Sequence, residues 1–301
     1  MTRVIRLSAA VLMAVLATSV LVGCGSDDAD DMGLEPQVEP PVIAEAGLLR
    51  VAVDQSYPPF AGEDEGRVVG VDVDVASAVA ERLGLEIELV DTPAEEVAEK
   101  LAAGEVDIAL AALPITQGIL ADVSFAGSYM TNGPAFFSAT ETTETVSTLA
   151  GKRVGVQEGS MAYWMLAGLY GEDAVITYPL LKDAIVDADA GNLDLVAGDA
   201  AVAAYIVRDY PSLRFVEQIG YADALGVAIA KDADELEDVV RAILDELSSD
   251  GTLATIRVKW LGDLPELATA PPSEELTSSV EATAGDAASD TEDSGDTADS
   301  E

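Results

Sequence analysis

Residues 71–110 have the sequence VDVDVASAVAERLGLEIELVDTPAEEVAEKLAAGEVDIAL, in which helical and strand patterns alternate. A helical pattern at Val73–Leu83 precedes a strand pattern at Glu86–Val90, and a second helical pattern precedes the strand pattern Asp107–Leu110. On the N-terminal side, Leu49–Val53 forms a further strand pattern. Strands that alternate with helices favour a parallel sheet with crossover helices. The sequence therefore predicts an α/β fold.

Capping signals bound the two helical patterns. Asp72 directly precedes the first pattern and is a candidate N-cap. For the second helix, Thr92 is a candidate N-cap and Pro93 occupies the first helical position. Glu95 follows Thr92 by three residues and predicts a capping box, and Gly104 is expected near the end of the helix.

The same strand-loop-helix pattern starts again at Lys152. Lys152–Val156 predicts a strand, Gln157–Ser160 a loop, and the residues through about Gly168 a helix. Glu235–Leu247 places its apolar residues on one helical face. The remaining predicted elements are helix Leu181–Ala190, strand Leu193–Ala197, helix Asp199–Asp209 and strand Leu225–Ala230.

The composition is strongly acidic. The chain has 15 Lys plus Arg against 56 Asp plus Glu and no His, a formal net charge of −41. Such a surface repels nucleic acid, so we expect no nucleic-acid partner. A salty source would fit, because screening makes dense surface carboxylates tolerable. With no His and one Cys, the chain cannot build a His or Cys zinc site or a Ser-His-Asp triad, and we expect no metal and no cofactor.

The N-terminus has the pattern of an exported lipoprotein. Arg3 and Arg6 precede an apolar run at Leu7–Val22, which is typical of a signal peptide and short of the roughly 20 residues of a membrane span. The next residues, Leu21-Val22-Gly23-Cys24, resemble a lipobox, which implies a signal peptide at 1–23 and a lipid on Cys24. The alternative is a buried or free cysteine, a liability in an oxidising compartment. We therefore predict a lipid-anchored protein on the outer face of the cytoplasmic membrane.

Two acidic segments flank the predicted folded part, Leu48 to Gly262. Residues 24–47 are rich in Asp, Glu and Pro and predict a flexible spacer with too little apolar surface to become ordered. Residues 263–301 contain no basic residue and predict a disordered acidic tail. The length between them suffices for one large or two modest cores.

Several stretches, in order and at matching spacing, resemble the extracellular solute-binding proteins of family 3, best known as the amino-acid receptors of ABC importers. The likeness covers nearly the whole predicted folded part. The matching stretches are LRVAVDQSYPPF (49–60), GVDVDVA (70–76), LAAGEVD (101–107), GKRVGVQEGS (151–160), GNLDLVAGD (191–199), DGTL (250–253) and KWLG (259–262).

The resemblance implies a two-lobed, periplasmic-binding-protein-like (type II) clamp with a hinge of two crossing strands. Lobe 1 would comprise residues 48–134 and 225–262, and lobe 2 residues 135–224, with crossings near Ala135–Ser138 and Tyr221–Gly226. A small polar organic solute, amino-acid-like or amine-bearing, would stabilise the closed state by touching both lobes. An ABC permease and ATPase would be the partners of this monomeric protein.

The loop after the first predicted strand supplies candidate ligand contacts. Asp54, Tyr57 and Phe60 lie at the carboxyl edge, where open α/β sheets bind ligands, and in the family this loop lines the cleft. A carboxylate beside aromatic faces suits a cationic or amine-bearing solute. The alternative is that Pro58-Pro59 makes a rigid turn and Phe60 merely packs.

Three further candidates come from other loops. Asp199 follows a strand and opens a helix; the matching family aspartate grips the ligand's ammonium group, although an N-cap role would explain it equally well. Ser160 opens another helix, whose free amides could bind an anionic group, or it could simply cap that helix. Thr116 belongs to an Ile-Thr pair that family members carry near the ligand.

The segment AALPITQGI (111–119) departs from the family pattern. The usual hydroxyl residues are replaced by Ala111, Ala112 and Pro114, and the position of the arginine that clamps an α-carboxylate holds Ile119. An aromatic platform is also replaced, by Ala94. A carboxylate clamp of this kind contributes about 1.5 to 3 kcal/mol for each charge-assisted hydrogen bond. The sequence thus points to an amine or another cationic or neutral solute rather than an ordinary amino acid.

Three other functions stay open at this point. A dehydratase-like enzyme on the same fold would need a positioned acid, for which Glu158 is the candidate, and a cationic clamp for a carboxylated substrate. A sensing module would pass ligand binding to a membrane receptor instead of a permease. A degenerate member of the family would bind nothing.

Overall fold

The structure is a computed structural model that describes residues 35–116, 118–140 and 149–270, with the backbone alone at Leu120. The predicted signal peptide, the lipid-attachment residue Cys24, the first part of the spacer and most of the acidic tail lie outside these residues. Among the helices that are described, none is long and apolar enough to span a bilayer.

Two five-stranded sheets carry the fold. In the first sheet β1 pairs in parallel with β4 and β5, and β12 pairs antiparallel with β5 and β6, in the order β4-β1-β5-β12-β6. The second sheet has the order β11-β7-β10-β8-β9, and a small hairpin pairs β2 with β3. The strands are β1 Leu48–Val53, β2 Gly62–Asp64, β3 Arg67–Val69, β4 Glu86–Asp91, β5 Ile108–Ala109, β6 Ser124–Asn132, β7 Pro134–Ser138, β8 Val154–Gln157, β9 Ile176–Tyr178, β10 Leu195–Asp199, β11 Arg214–Gln218 and β12 Asp223–Ile229.

Helices cover both sheets, as the alternating pattern predicts. The predicted helix Glu235–Leu247 is confirmed as α6, whose buried face consists of Leu236, Val240, Ile243, Leu244 and Leu247. The longer helices are α1 Val71–Leu83, α2 Val97–Ala103, α3 Met161–Tyr170, α4 Leu181–Asp189, α5 Ala200–Val207, α6 Asp234–Ser249 and α7 Thr252–Leu261, and short 3-10 turns lie at Ala94–Glu96, Ile119–Ala121 and Glu172–Ala174.

The chain passes between the sheets twice, which makes the molecule a two-lobed clamp of type II. The first passage is at Gly133, between β6 and β7, and the second at residues 219–222, between β11 and β12. The passages touch, because a Cβ at Gly133 would lie 3.0 Å from the Cα of Ala222, and the Ile219 amide donates to the Pro134 carbonyl at 2.7 Å. Residues 135–138, where the resemblance placed the first crossing, already belong to β7, so this crossing lies slightly earlier. The second crossing also lies earlier than Tyr221–Gly226, because β12 of the first sheet begins at Asp223, which therefore belongs to lobe 1.

Two of the predicted helix caps are wrong. The N-cap position of α1 is Gly70, and Asp72 is completely buried and bonded elsewhere. The Thr92 hydroxyl donates to the Val90 carbonyl at 3.1 Å, so the predicted capping box does not form and a 3-10 turn precedes α2. The local cap loses to other partners in both places: Asp72 accepts from buried donors on other elements, and Thr92 donates to a strand carbonyl. The predicted helix end at Gly104 is confirmed by its left-handed conformation, with φ 68°.

The later part of the predicted spacer is packed against lobe 1 and is not a flexible segment. Val38 and Ile43 are 4% and 1% exposed and belong to the main apolar core. The backbone amide of Gln37 donates to the Leu83 carbonyl at 2.9 Å, and the backbone amide of Ala44 donates to Asp107 Oδ1 at 3.0 Å. The prediction failed here because it used the average composition of the segment, which does not reveal that two apolar side chains reach the core.

The start of the predicted acidic tail is ordered as well. Residues 263–270 lie along the hinge, where the Ala268 amide donates to Gln218 Oε1 at 2.7 Å and the Ala268 carbonyl accepts from the Ala222 amide at 2.9 Å. Leu267 is buried, with 4% exposure. The tail prediction is therefore wrong for these residues, because an unpaired backbone edge at the hinge offers them hydrogen-bond partners.

Candidate solute-binding cleft

A cavity of about 440 Å³ lies between the two lobes, next to the first crossing. Both sheets contribute the carboxyl ends of strands to it, which is where α/β sheets bind ligands. Its lining consists of Tyr57, Ala112, Pro114, Asp223 and Leu225 from lobe 1, Asn132, Gly133 and Pro134 at the crossing, and Gln157, Glu158, Gly159, Ser160, Met161, Ala162, Leu181, Gly198, Asp199 and Val202 from lobe 2.

Asp199 lines this cleft and accepts hydrogen bonds from both lobes. It ends β10, and its Oδ1 accepts from the Val202 amide at 2.9 Å, so it caps α5. Its Oδ2 accepts from Asn132 Nδ2 at 2.6 Å and lies 3.5 Å from the Tyr57 hydroxyl. Burial raises the pKa of the Asp199 carboxyl, although these hydrogen bonds oppose the rise. The capping role and the position in the cleft thus coexist.

Tyr57 reaches Asp199 from the opposite lobe. Burial, followed by the negative charge of Asp199, raises the pKa of the Tyr57 hydroxyl, which therefore stays a hydrogen-bond donor at neutral pH. The ring packs on Phe60 with centroids 5.2 Å apart. Because the Tyr57 hydroxyl and the Asp199 carboxylate face each other across the cleft, both can touch one small solute.

Asn132 is a cleft residue that the sequence patterns did not reveal. It ends β6 and is only 9% exposed, and both the nitrogen and the oxygen of its side-chain amide form hydrogen bonds. Nδ2 donates to Asp199, and Oδ1 accepts from the Ala201 amide at 3.1 Å. This side chain therefore joins the first crossing to the first turn of α5. The only signal in the sequence was its place before Gly133 and Pro134.

Ser160 lies on the wall formed by α3. Its Oγ accepts from the Tyr163 amide at 3.1 Å, which confirms the simple capping role. Glu158, considered only as the acid of a rival enzyme, lies beside it in the lining, and Asp223 faces from lobe 1. Asp223 was missed because a lone Asp at the start of a strand has no distinctive spacing.

The other three predicted site residues are not in the cavity lining. Asp54 Oδ1 accepts from the amide and the hydroxyl of Ser56, at 3.0 and 2.6 Å, and so stabilises its own loop. Phe60 is 1% exposed and packs in the core beneath Tyr57, as the alternative interpretation held. Thr116 donates its amide to the Pro114 carbonyl at 2.9 Å. The structure therefore brings together Tyr57, Ser160 and Asp199.

The charge of the cleft is one-sided. Its lining includes the carboxylates of Glu158, Asp199 and Asp223, and none of the described lining residues is Lys or Arg. Ile119, at the position of the family's clamping arginine, packs partly buried against a second apolar cluster in lobe 1. A cleft lined by one sign of charge concentrates the opposite charge.

Residues 49–263 match the model of bacterial extracellular solute-binding proteins, family 3. The chain belongs to this family. Among the relatives of this family 3 protein, the arginine-binding periplasmic protein of Mannheimia haemolytica is 29% identical over 218 residues, 70% of this chain and 90% of the relative. The L-cystine-binding protein of Escherichia coli is 27% identical over 257 residues, 83% of this chain and 94% of the relative.

A solved structure agrees with this membership. An ancestral cationic amino acid solute-binding protein has 28% sequence identity and a TM-score of 0.63, covering 71% of this chain and 96% of its own. The similarity spans both lobes and the hinge, so this family 3 protein is a solute-binding protein with the two-lobed fold of its relatives. Each of the relatives named is a binding protein.

Proposed function

We propose that this family 3 protein captures a cationic, amine-bearing organic solute outside the cytoplasmic membrane and delivers it to an ABC permease and ATPase. The observation that carries the proposal is the Asp199 carboxylate in a cleft whose described lining contains no basic side chain. A buried carboxylate without a counter-ion is costly, even when it is hydrogen-bonded, until a cation neutralises it.

The hydrogen-bonding capacity of Asp199 suits an ammonium or guanidinium group. Its two oxygens accept from Val202, from Asn132 and, at 3.5 Å, from the Tyr57 hydroxyl; a carboxylate has about four acceptor sites, so capacity for a ligand remains. Each charge-assisted hydrogen bond to the ligand would contribute about 1.5 to 3 kcal/mol. Tyr57 offers an aromatic face and a hydroxyl from the other lobe. A solute that touches both residues would favour the closed clamp.

The relatives support a cationic solute, and this chain departs from them where an α-carboxylate would be held. One named relative binds arginine, and the ancestral protein binds cationic amino acids. In the present chain Ile119 cannot pair with an α-carboxylate, and Pro114 has no amide hydrogen to offer one. We therefore propose a cation that lacks an α-carboxylate.

Calorimetry with a matched set of solutes tests this proposal. Agmatine has the guanidinium chain of L-arginine without its carboxylate, so the pair isolates the carboxylate grip. We expect the purified protein to bind agmatine at least as tightly as L-arginine and to give no heat with L-glutamate. Tight binding of L-glutamate without a response to agmatine would overturn the proposal.

The proposed lipid anchor rests on the sequence of residues 1–24. Cys24 lies at the end of an apolar run and follows Leu21-Val22-Gly23. We expect Cys24→Ser to abolish incorporation of radiolabelled palmitate and to release the protein from the membrane fraction. A variant that still fractionates with membranes and carries label would contradict the anchor at this residue.

Transport is favoured over catalysis by the charge of the cleft. Glu158 does line the cavity, but the described lining has no cation to hold a carboxylated substrate. We therefore expect no turnover of prephenate. A transport role further predicts that deletion of the partner permease abolishes uptake of radiolabelled agmatine; unchanged uptake, with an altered transcriptional response, would favour the sensing alternative.

A further inference from the structure

The side chain of Asp72 is buried beneath the lobe 1 wall of the cleft. It belongs to the first turn of α1 and has no exposed surface. Each of its oxygens has one donor: the Tyr129 hydroxyl lies 2.6 Å from Oδ1, and the Ala112 amide lies 2.9 Å from Oδ2. These partners are 57 and 40 residues away along the chain, so the carboxylate joins α1 to β6 and to the loop after β5 that contains Ala112.

The partner Ala112 has an unusual backbone conformation and lines the cavity. Its φ is +49°, a region that residues with a Cβ adopt rarely and at a cost in energy. Such a conformation persists only where the surroundings impose it. The hydrogen bond from the Ala112 amide to the buried Asp72 carboxylate can impose this conformation, because bonds to charged acceptors are strong where water is excluded.

The backbone of this first turn of α1 also supports the loop that contributes Tyr57 to the lobe 1 wall of the cleft. The Asp72 amide donates to the Phe60 carbonyl at 2.9 Å, and the Val71 amide donates to Pro59 at the same distance. Gly70 makes this approach possible, because a Cβ there would lie 2.0 Å from the Phe60 carbonyl oxygen. Since the Tyr57 ring packs on Phe60, the position of Tyr57 depends on the same turn.

Within the part of the chain that the structure describes, the groups around Asp72 do not neutralise its charge. The titratable groups that act on it are Tyr129 from β6 and, from the loop after β1, Asp54 and Tyr57. The cation of α7 that faces α1, Lys259, pairs with Asp74 instead, at 2.5 Å. Burial is the main cause that raises the pKa of Asp72, to about 6, against the two hydrogen bonds that it accepts.

We propose that Asp72 is a positioning residue of the solute site, which holds Ala112 in its left-handed conformation and so shapes the cleft wall that meets the ligand. The side chain acts through Ala112 and does not touch the solute. This role would explain why an aspartate in the first turn of α1 is fully buried rather than exposed at the helix end. It extends the proposed function but does not depend on the identity of the solute.

A ligand-free measurement tests the contact itself. In ¹⁵N-¹H spectra of the protein, the Ala112 amide proton should shift as pH falls through about 6, because protonation weakens the acceptor. Asp72→Asn should abolish this titration, since an amide can occupy the same place without ionising. An Ala112 amide whose shift ignores pH in the wild type would overturn the proposal, whatever the protein binds.

A rescue experiment with agmatine as the probe separates positioning from general stability. Asp72→Ala should weaken agmatine binding at least tenfold, whereas Asp72→Asn should stay within about threefold of wild type because its oxygen can accept from the Ala112 amide. Ala112→Gly should recover at least threefold in the Asp72→Ala background, because glycine adopts a positive φ without strain. The same glycine in the wild type should give no gain.

Each outcome bears on the proposal. Wild-type affinity in Asp72→Ala, or no rescue by Ala112→Gly, would overturn it. If Asp72→Ala does not fold, Tyr129→Phe removes one of the two hydrogen bonds and keeps the charge; its smaller loss should also be rescued by Ala112→Gly. Failure of the wild type to bind any cation would overturn the proposed function, while the Ala112 titration would still decide the role of Asp72.

Discussion

At the scale of single residues, Asp199 combines two tasks that sequence patterns could not separate. Oδ1 caps α5, while Oδ2 lies in the cleft between Asn132 and Tyr57. The two tasks use different oxygens of one carboxylate, so a substitution can remove one and keep the other.

Asp199→Asn should weaken agmatine binding by 10- to 100-fold, or about 1.4 to 2.8 kcal/mol, because the charge disappears. Asn is also a good N-cap, but its Nδ2 would face the Asn132 Nδ2 donor, so the melting temperature should fall moderately while α5 stays capped. Calorimetry and thermal melting measure the two effects. The control is Asp183→Asn, which removes one exposed charge from the same lobe. Equal losses in both variants would show that general electrostatics, not the Asp199 contact, controls binding.

Asp72 should make part of the stability depend on pH in an unusual direction. Its folded-state pKa of about 6 lies above the ordinary value of 3.8, so the folded state binds the proton more tightly than the unfolded state. The contribution of this group to stability therefore rises as pH falls through 6 and is complete below about 4. The rise is on the order of 3 kcal/mol, at 1.36 kcal/mol for each pKa unit.

Urea denaturation of the wild type and Asp72→Asn between pH 7.5 and 4.5 measures this effect. The difference in unfolding free energy between the two proteins should move in favour of the wild type as pH falls. A difference that stays constant across this range would contradict the raised pKa of Asp72.

The exposed pair of Arg153 and Asp194 affects stability in the opposite sense. Arg153 lowers the pKa of Asp194 to about 2, so the contribution of this pair to stability is lost in acid.

At the scale of elements, strands and long helices were the most predictable part. The alternation of patterns and the spacing in α6 are local properties, and the structure confirms them. Helix starts were less predictable. The Thr92 hydroxyl bonded backward to Val90, and Asp72 found partners on other elements, which no local rule contains. The buried apolar residues of the spacer were also unpredictable, because the lobe 1 surface on which they pack is formed by residues that are distant in the sequence.

The docked segment before β1 should contribute substantially to stability. Ile43→Ala should lower the unfolding free energy by about 2 to 5 kcal/mol, because it removes a side chain that is 1% exposed in the main core. Urea denaturation measures the change. The control Val258→Ala, at a side chain 54% exposed, should alter it by about 0.5 kcal/mol or less. A loss below about 0.5 kcal/mol for Ile43→Ala would mean that the segment is not docked in solution.

At the scale of the whole molecule, the acidic surface and the acidic cleft should respond to salt in opposite ways. With a formal net charge of −41, the folded chain repels itself, and salt reduces this repulsion as the screening length falls from about 10 Å at 0.1 M to about 3 Å at 1 M. The same screening weakens the attraction between the cleft and a cationic solute.

We therefore expect the melting temperature to rise between 0.1 and 1 M NaCl, while the affinity for agmatine falls severalfold. Differential scanning calorimetry and titration calorimetry in the same buffers measure the two trends. Titration of Asp199→Asn with agmatine provides the control for the second trend, because loss of one cleft charge should make the affinity fall less steeply with salt. A melting temperature that falls with salt would show that ion pairs, rather than net repulsion, dominate the electrostatic free energy.

The sequence by itself determined the α/β fold class, the family and the candidates Tyr57, Ser160 and Asp199, because strand and helix periods and loop motifs depend on residues close together in the chain. Tertiary structure alone decided that Asn132 and Asp223 join the cleft, that Asp54 and Phe60 lie outside its lining, and that Asp72 is buried. The physical reason is distance along the chain. Asn132 and Asp199 are 67 residues apart and meet only because the chain crosses between the lobes beside the end of β10.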